Sequence, residues 1–431
     1  MQSNNRNKRA FLPFILFLAL FLGSGILTGD FYKMPILVAA LLAAGFSLAQ
    51  NRKKPLMEKV EEFAKGAGHP DIMIMVFIFI LAGAFSEVAT QMGAVESTVN
   101  LALSVLPQGL IIAGLFIIGG FVSISMGTST GTIAALAPIG VGISGETEIS
   151  LALSMAAVVG GAMFGDNLSI ISDTTIAAVR TQKTEMKDKF KVNFFIVLPA
   201  AIVTAVLLVV FTFGSTGSVE AESFVWYKIL PYLGVLGFAI AGLNVMLVLA
   251  GGILLAGIIG LMDGSFGISG FTGAMTDGIN SMAELIFLTL LIGGMVAMLR
   301  NNGGLEYLLS VMTKRIRSKK GAELSIAGLV SSTNLSTANN TISIITTGQL
   351  ARNVSDQYGI DRRKTASLLD IFSCSVQGLI PYGAQLLAAA QFAKISPVEI
   401  IPYSFYPILI AISGLIAIFI GYPKFKKTVN N

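Results

Sequence analysis

The sequence predicts an all-α polytopic membrane protein made of two inverted-topology repeats, each with a re-entrant hairpin and a broken transmembrane helix. The first observation is composition: the 431 residues are 54% hydrophobic and only 12% charged, whereas a soluble domain has roughly 25% charged residues. The second is length, because apolar blocks near the roughly 20 residues that cross a bilayer recur from Phe11 to Tyr422. The third is an internal repeat, in which the second half of the chain resembles the first.

Composition also excludes several classes of function. The chain contains one cysteine, Cys374, and one histidine, His69, so an internal disulfide is excluded, and hydrolytic triads or Cys/His metal centres lack their usual residues. The net charge of +5 does not indicate nucleic-acid binding, because Lys and Arg cluster in short loops between the apolar blocks. We therefore expect no enzyme activity, no cofactor and no nucleic-acid partner. The expected partners are membrane lipid and small ions, and a homodimer is left open.

The internal repeat has an offset of about 210 residues. The matching stretches are residues 78–83 with 288–293, Gly93 with Gly303, Glu96 with Glu306 and, allowing one gap, residues 122–133 with 330–342. Each match alone is short, but the matches keep the same order and spacing. They indicate a duplication, with one repeat in residues 1–215 and the other in residues 216–431.

The loops that carry basic residues in one repeat correspond to loops with few or none in the other repeat. Four loops are rich in Lys and Arg where the corresponding loop of the other repeat has few or none. These residues are Arg52, Lys53, Lys54, Lys59 and Lys65; Arg180, Lys183, Lys187, Lys189 and Lys191; Lys314, Arg315, Arg317, Lys319 and Lys320; and Arg352, Arg362, Arg363 and Lys364. Because basic loops stay cytoplasmic, the exchange predicts opposite topologies in the plasma (inner) membrane, with both termini cytoplasmic. Inverted repeats are typical of secondary transporters, whose site lies at the midplane.

Polar residues interrupt four of the apolar segments. Residues 108–143 and 322–352 each begin and end on one side of the membrane around a polar centre, which predicts re-entrant hairpins. Residues 149–180 and 364–394 each cross once but are too long for one simple helix, which predicts broken helices. We expect the first break at residues 165–167 and the second around residues 378–385 (Gly-Leu-Ile-Pro-Tyr-Gly-Ala-Gln). Hairpin tips and helix breaks expose backbone groups that can bind ions.

Two acids, Asp166 and Asp173, lie in the first predicted broken helix. A charged group at bilayer depth costs roughly 2.5–3.5 kcal/mol, so it usually faces a cavity and has a function. Burial disfavours a charged carboxylate whereas a bound Na⁺ favours it, so H⁺ and Na⁺ would occupy Asp166 alternately. We expect Asp166 to be the coupling carboxylate. Asp173 would share its protonation, hold the hairpin tip or accept a hydrogen bond, and both acids are candidate ligands of the transported Na⁺.

The other candidate ligands of an ion or substrate are mostly neutral oxygen donors, which hard cations favour. They are Asn167, Ser169, Ser172, Thr174, Thr128, Ser129 and Thr130 in the first repeat, and Asn334, Ser336, Thr337, Asn339, Asn340 and Asp370 in the second. Asp370 matches no acid in the first repeat, and is either a second ionisable site or paired with a neighbouring hydroxyl. Tyr382 and Gln385, at the second break, would suit an organic cargo. The alternative for the whole cluster is a polar helix break that neighbouring helices satisfy.

Several of these motifs resemble one known family. Residues 165–175 (Gly-Asp-Asn-Leu-Ser-Ile-Ile-Ser-Asp-Thr-Thr) resemble the signature of the NhaC-type sodium/proton antiporter family, within the ion transporter superfamily, although Ile170 stands where the family commonly has proline. Residues 127–132 resemble that family's first hairpin, and residues 332–334 and 339–341 resemble hairpin tips of the superfamily. The resemblance extends over essentially the whole chain.

The resemblance implies a secondary active transporter, and in particular a Na⁺/H⁺ antiporter with a midplane carboxylate site. The family also contains carriers of organic anions and amino acids. The alternative is therefore a Na⁺- or H⁺-coupled transporter or exchanger of a small organic acid or amino acid. A channel is disfavoured, because two unlike hairpin tips in inverted halves do not form a continuous polar stripe or a repeated filter.

Overall fold

The computed structural model describes residues 7–28, 33–51, 54–105, 107–170, 172–213, 223–241, 243–312, 316 and 318–423. Within these ranges the chain is helical and forms no strand, which confirms the all-α prediction. In the first half, the helices are α1 (Leu12–Thr28), α2 (Ile36–Ala49), α3 (Leu56–Ala67), α4 (Pro70–Gln91), α5 (Ala94–Val105), α6 (Gln108–Met126), α7 (Ser129–Glu146), α8 (Leu151–Leu168), α9 (Asp173–Gln182) and α10 (Met186–Thr212).

The described part of the second half is also helical. Its helices are α11 (Leu230–Ile240), α12 (Val245–Met262), α13 (Ile268–Ser281), α14 (Ala283–Asn301), α15 (Gly304–Met312), α16 (Lys319–Thr337), α17 (Asn340–Tyr358), α18 (Arg362–Gln377), α19 (Ala384–Ala393), α20 (Pro397–Ile400) and α21 (Phe405–Ile420). In the described residues, 6 helices are long and apolar enough to cross a membrane, or 8 if each of two bent pairs is one span. The protein is therefore a multi-pass membrane protein.

One face of α10 shows how the chain meets lipid. Phe195, Ile202, Val206 and Val210 are between 55% and 63% exposed, and their spacing places them along one side of the helix. In water this apolar stripe would be costly, but hydrocarbon tails solvate it. The opposite side of α10 carries buried residues, including the polar Lys189 and Asn193. The helix therefore separates lipid from a polar interior.

Unusual backbone conformations recur at matched positions in the two halves. Gly93 (φ 80°) joins α4 to α5 as Gly303 (φ 81°) joins α14 to α15. Lys183 ends α9 and Lys394 ends α19, both with φ 54°. These matches agree with the offset seen in the sequence. The inverted membrane orientation of the halves stays a prediction, and the proposed boundary at residues 215 and 216 lies outside the described residues.

Several basic residues used to predict orientation lie inside the protein and not in loops. Lys189 and Lys364 are buried in ion pairs, and the buried Lys59 donates from Nζ to the Gln50 carbonyl at 3.0 Å. They therefore provide no juxtamembrane charge. Arg52, Lys53, Lys314, Arg315 and Arg317 lie outside the described residues, as do residues 1–6 and 424–431 at the termini. The cytoplasmic location of both termini thus stays a prediction.

Glycine allows α4 and α13 to cross at backbone contact. A Cβ atom on Gly278 would lie 2.2 Å from the Gly83 carbonyl oxygen, and a Cβ atom on Gly83 would lie equally close to the Gly278 carbonyl oxygen. Real side chains do not tolerate such distances, and backbone atoms cannot move aside as a flexible side chain can. The crossing therefore requires glycine on both helices.

We expect the Gly278→Ala substitution to destabilise the protein by about 1–3 kcal/mol, the usual cost of overpacking. The matched control is Gly273→Ala on the same helix, where a Cβ atom would meet nothing within 4 Å. That substitution should stabilise by up to about 1 kcal/mol, because alanine is the better helix former. The thermal unfolding midpoint of each purified variant in detergent measures the difference. Equal midpoints for the two variants would contradict the close crossing.

Candidate functional site

Two helical hairpins have tips of the same design. Helix α6 ends at Gly127 (φ 69°), and the hydroxyl of Thr128 then accepts the Gly131 N–H to begin α7. Helix α16 ends at Ala338 (φ 49°), and the Asn339 side chain accepts the Ile342 N–H to begin α17. Each connection uses one left-handed and one extended residue, which is the shortest way to cap both helices. The two helix pairs include residues 108–143 and 322–352 but extend to Glu146 and Tyr358, and whether they are re-entrant stays a prediction.

Of the two predicted helix breaks, the first is shifted along the chain and the second lies in the predicted region. Helix α8 continues to Leu168, so the first break begins at Ser169 and not at residues 165–167 as predicted. The reason is that Gly165 serves helix packing: a Cβ atom there would lie 2.2 Å from the Gly120 carbonyl oxygen on α6. The second break, residues 378–383 between α18 and α19, lies in the predicted region. Ile171, within the first break, lies outside the described residues.

Asp166 lies in the last turn of α8 and is 5% exposed. Ser129, at the tip of the first hairpin, donates from Oγ to Asp166 Oδ2 at 2.9 Å. Ser172, at the other end of the break, donates from Oγ to Asp166 Oδ1, and its oxygen lies 2.8 Å from Thr174 Oγ1. Two hydroxyl groups from separate parts of the chain therefore bind one buried carboxylate, and the hydroxyl of Thr174 contacts one of these two.

A cleft of about 70 Å³ opens beside this carboxylate. It is lined by both hairpin tips, both broken helices and the first turns of α4. Its acidic groups are Asp166, Asp173 and Asp71, whereas none of the described residues that line it is Lys, Arg or His. In the described part of the chain, no three His, Cys, Asp or Glu side chains form a metal cluster. The lining therefore suits one small cation held by a carboxylate and neutral oxygens.

A chain of side-chain hydrogen bonds connects the second break to Asp166. Gln377 donates from Nε2 to Gln385 Oε1 at 2.9 Å, and Gln385 donates from Nε2 to Ser129 Oγ at 3.0 Å. Because Ser129 Oγ accepts from Gln385, its proton is directed to Asp166. Gln377 also lines this cleft, and its buried Oε1 has no hydrogen-bond partner among the residues that the structure describes. The second break thus supplies amides, and the first supplies the charge.

Asp370 on α18 lies in a separate buried network next to the first break. Its Oδ2 forms an ion pair with Lys189 Nζ at 2.7 Å. The same oxygen accepts hydrogen bonds from Asn193 Nδ2 at 2.7 Å and Asn167 Nδ2 at 3.1 Å. The nearby Ser373 hydroxyl donates to the backbone carbonyl of Asp370 and not to its carboxylate. Of the two sequence-based alternatives, the ionisable group fits this geometry better than the hydroxyl pair.

The structure divides the predicted site residues into two groups. Those that line the cleft are Asp166, Ser172, Asp173, Thr174, Thr128, Ser129, Thr130, Asn339 and Asn340. Those found elsewhere are Asn167, Ser169, Asn334, Ser336, Thr337 and Asp370. Most of the second group satisfy backbone carbonyls: Ser169 Oγ donates to Ile124 O at 2.8 Å, and Asn334 Nδ2 donates to Ser373 O at 2.6 Å. These side chains therefore fix the helix break and the second hairpin in place.

Sequence reasoning missed two charged groups of the site region. Asp71 lies in the first turn of α4 and lines the cleft. An acid is favourable in the first turn of any helix, so the position of Asp71 in the sequence does not by itself indicate a binding site. Lys189 was assigned to a basic loop because it stands among Lys187 and Lys191. The available signal was its spacing from the apolar residues of α10, since Lys189, Val192 and Ile196 share one buried face.

Comparison with known proteins gives a consistent result. A family model described as the Na⁺/H⁺ antiporter family matches residues 13–213 and 218–424. The chain is 26% identical over 433 residues to the Na⁺/H⁺ antiporter NhaC of Bacillus subtilis (strain 168), covering 91% of each chain. It is 23% identical over 386 residues to the malate-2H⁺/Na⁺-lactate antiporter of the same organism, covering 81% of this chain and 82% of that one.

A third relative comes from an archaeon. The chain is 23% identical over 409 residues to the arginine/ornithine antiporter ArcD of Halobacterium salinarum (strain ATCC 700922 / JCM 11081 / NRC-1), covering 85% of this chain and 83% of that one. All three relatives are named as antiporters, but their named cargoes differ. The comparisons therefore agree on the type of transport and leave the cargo to be argued from the site.

Proposed function

This chain belongs to the Na⁺/H⁺ antiporter family, and from that premise we propose that it exchanges Na⁺ for H⁺ at Asp166. Its relatives are transporters and not enzymes, so the function to be explained is movement of a cargo across the membrane. The observation that carries the proposal is the buried Asp166 carboxylate, held by Ser129 and Ser172 beside a small acidic cleft. We retain in this proposal the inverted orientation of the two halves, which would expose the site to each side alternately.

Mutually exclusive binding at Asp166 would couple the two ions. A proton on the carboxylate removes the negative charge that a Na⁺ ion needs, and a bound Na⁺ occupies the oxygens that would bind the proton. The hydroxyls of Ser129, Ser172 and Thr174 suit both states, because a hydroxyl can donate to a free carboxylate or turn a lone pair toward a cation. The site therefore needs no large rearrangement to exchange one cargo for the other.

The charge and size of the cleft favour an inorganic cation over an organic acid. A carboxylate cargo would require basic partners, whereas the charged groups that line the cleft are three acids. Its volume of about 70 Å³ is well below the roughly 300–1,000 Å³ of typical small-molecule pockets. The carboxylate of the alternative cargo, a small organic acid or amino acid, would depend on neutral donors such as the amides of Gln385, Asn339 and Asn340. The named cargoes of the malate, lactate and arginine carriers make that alternative worth a direct test.

We expect the purified protein in proteoliposomes to couple the two ions directly. Vesicles loaded with Na⁺ and diluted into Na⁺-free buffer should acidify inside, with a rate that saturates with internal Na⁺, because each departing Na⁺ is replaced by H⁺. A trapped pH dye measures the flux. Gradients of malate, lactate or arginine without Na⁺ should produce no flux. Saturable counterflow of one of these solutes, with no response to Na⁺, would replace this proposal with the organic-cargo alternative.

A further inference from the structure

Lys189 is buried to 1% exposure within α10, in the middle of the polar interior. Its Nζ lies 2.7 Å from Asp370 Oδ2, and it donates to the Asn167 carbonyl oxygen at 2.9 Å and to Thr175 Oγ1 at 2.6 Å. A lysine ammonium has three hydrogens and no acceptor. All three hydrogens therefore have a partner, which is the geometry that an ammonium group requires.

One of these partners, the Asn167 carbonyl, is free to accept because α8 ends next to it. Helix α8 ends at Leu168, so the Asn167 carbonyl has no intrahelical donor and belongs to the negative end of the helix dipole. Lys189 and the Asn193 amide, at 3.0 Å, both donate to it. The C-terminal end of α8, which could have bound a transported cation, thus already binds the Lys189 ammonium.

The charges of this interior can be counted from the groups that face Lys189. They are the carboxylate of Asp370 on α18, which pairs with Lys189, and, without direct contact, the carboxylate of Asp166 on α8 and the thiol of Cys374, which is neutral in its ordinary state. On α10 itself, Lys187 and Lys191 are exposed and Asp188 is partly exposed. The other two acids of the cleft, Asp173 and Asp71, are exposed and partly exposed to solvent, so they are not counted as buried charges. Two buried carboxylates and one buried ammonium leave one uncompensated negative charge. Because Lys189 already pairs with Asp370, that charge belongs to Asp166.

We infer that Lys189 is a fixed internal cation that neutralises Asp370, so that the site accepts one monovalent cation at a time and exchanges one Na⁺ for one H⁺ without net charge movement. This inference rests on the proposed function and adds the coupling ratio to it. In each cycle, Na⁺ leaves the Asp166 carboxylate and one proton from water binds there. Lys189 keeps its three hydrogens throughout. The loaded site is neutral with either cargo, which lowers the cost of moving it through the bilayer.

The coupling ratio of the wild-type protein tests the inference directly. In proteoliposomes with opposing gradients, net H⁺ flux should stop when the Na⁺ concentration ratio equals the H⁺ concentration ratio. A K⁺ diffusion potential set with valinomycin should not move this null point. The inference would be overturned if flux stopped only when the Na⁺ concentration ratio equalled the square of the H⁺ concentration ratio, or if the null point shifted with the potential. Either result would leave Na⁺/H⁺ exchange intact. The absence of any Na⁺-dependent flux would instead overturn the proposed function.

Paired variants separate charge from structure. We expect Lys189→Met to lose at least tenfold in exchange rate, because Asp370 is left as a second buried negative charge. The double variant Lys189→Met with Asp370→Asn restores the charge count, so it should recover most of that loss and keep the one-to-one null point. Thermal unfolding of both variants checks that they fold. A folded double variant as inactive as the single one would show that the charge count does not govern transport.

Discussion

Replacing Asp166 with asparagine should abolish Na⁺-driven H⁺ flux while leaving the protein folded. Asparagine keeps the shape of the side chain and an oxygen that can accept from Ser129 or Ser172, but it has no charge and binds no proton. Two unit charges about 4 Å apart attract by about 4 kcal/mol at an effective dielectric constant of about 20. Losing that attraction corresponds to roughly a thousandfold in Na⁺ affinity. Flux in proteoliposomes and the thermal unfolding midpoint measure the two effects.

The neighbouring acid Asp173 offers a matched control for this experiment. It lines the same cleft, but its side chain is exposed at the start of α9, so solvent screens its charge. We expect Asp173→Asn to retain exchange within about tenfold of wild type. Full exchange activity in the Asp166→Asn variant would remove Asp166 from the transport site. An equal loss in both variants would mean that the cleft acts through its overall negative charge and not through one carboxylate.

The largest effect on stability is expected at the buried ion pair between Lys364 and Glu323. Lys364 Nζ on α18 lies 2.7 Å from Glu323 Oε2 on α16, with side chains 5% and 3% exposed. Lys364→Met should destabilise the protein by about 3–5 kcal/mol, because it leaves a buried carboxylate without its counter-charge. The second hairpin would then lose one of its polar contacts with the broken helix. Thermal unfolding in detergent, followed by loss of helical signal, measures the change.

Two comparisons make this stability prediction specific. The double variant Lys364→Met with Glu323→Leu removes both charges and should recover most of the lost stability, since well-packed apolar residues can replace a buried pair. The exposed pair of Arg362 and Asp356, with Nε–Oδ1 at 2.9 Å and side chains 42% and 47% exposed, provides the surface reference. Arg362→Gln should cost at most about 1 kcal/mol. A Lys364→Met variant no less stable than Arg362→Gln would contradict the prediction.

The exact position of the break after α8 could not be predicted from the sequence. Glycine followed by polar residues at 165–167 predicts an interruption, yet the helix continues through Asp166 to Leu168. A glycine can mark either a break or a close helix contact, and only the position of α6 against Gly165 distinguishes the two. The second break, at residues 378–383, was predicted in the correct region because Pro381 stands between two glycines there. Strong local signals therefore place a break well, and ambiguous ones do not.

By itself, the sequence determined the helical membrane class and the polar interruptions, and it identified Asp166 as a candidate site residue. These depend on local composition: long apolar blocks must span a bilayer as helices, and an acid within them is too costly to be accidental. Only the tertiary structure decided that Asp71 and Gln385 share a cleft with Asp166, and that Lys189 neutralises Asp370. The reason is that these partners lie far apart in the chain. Their contacts arise from how the helices pack, and a local pattern of residues does not encode that packing.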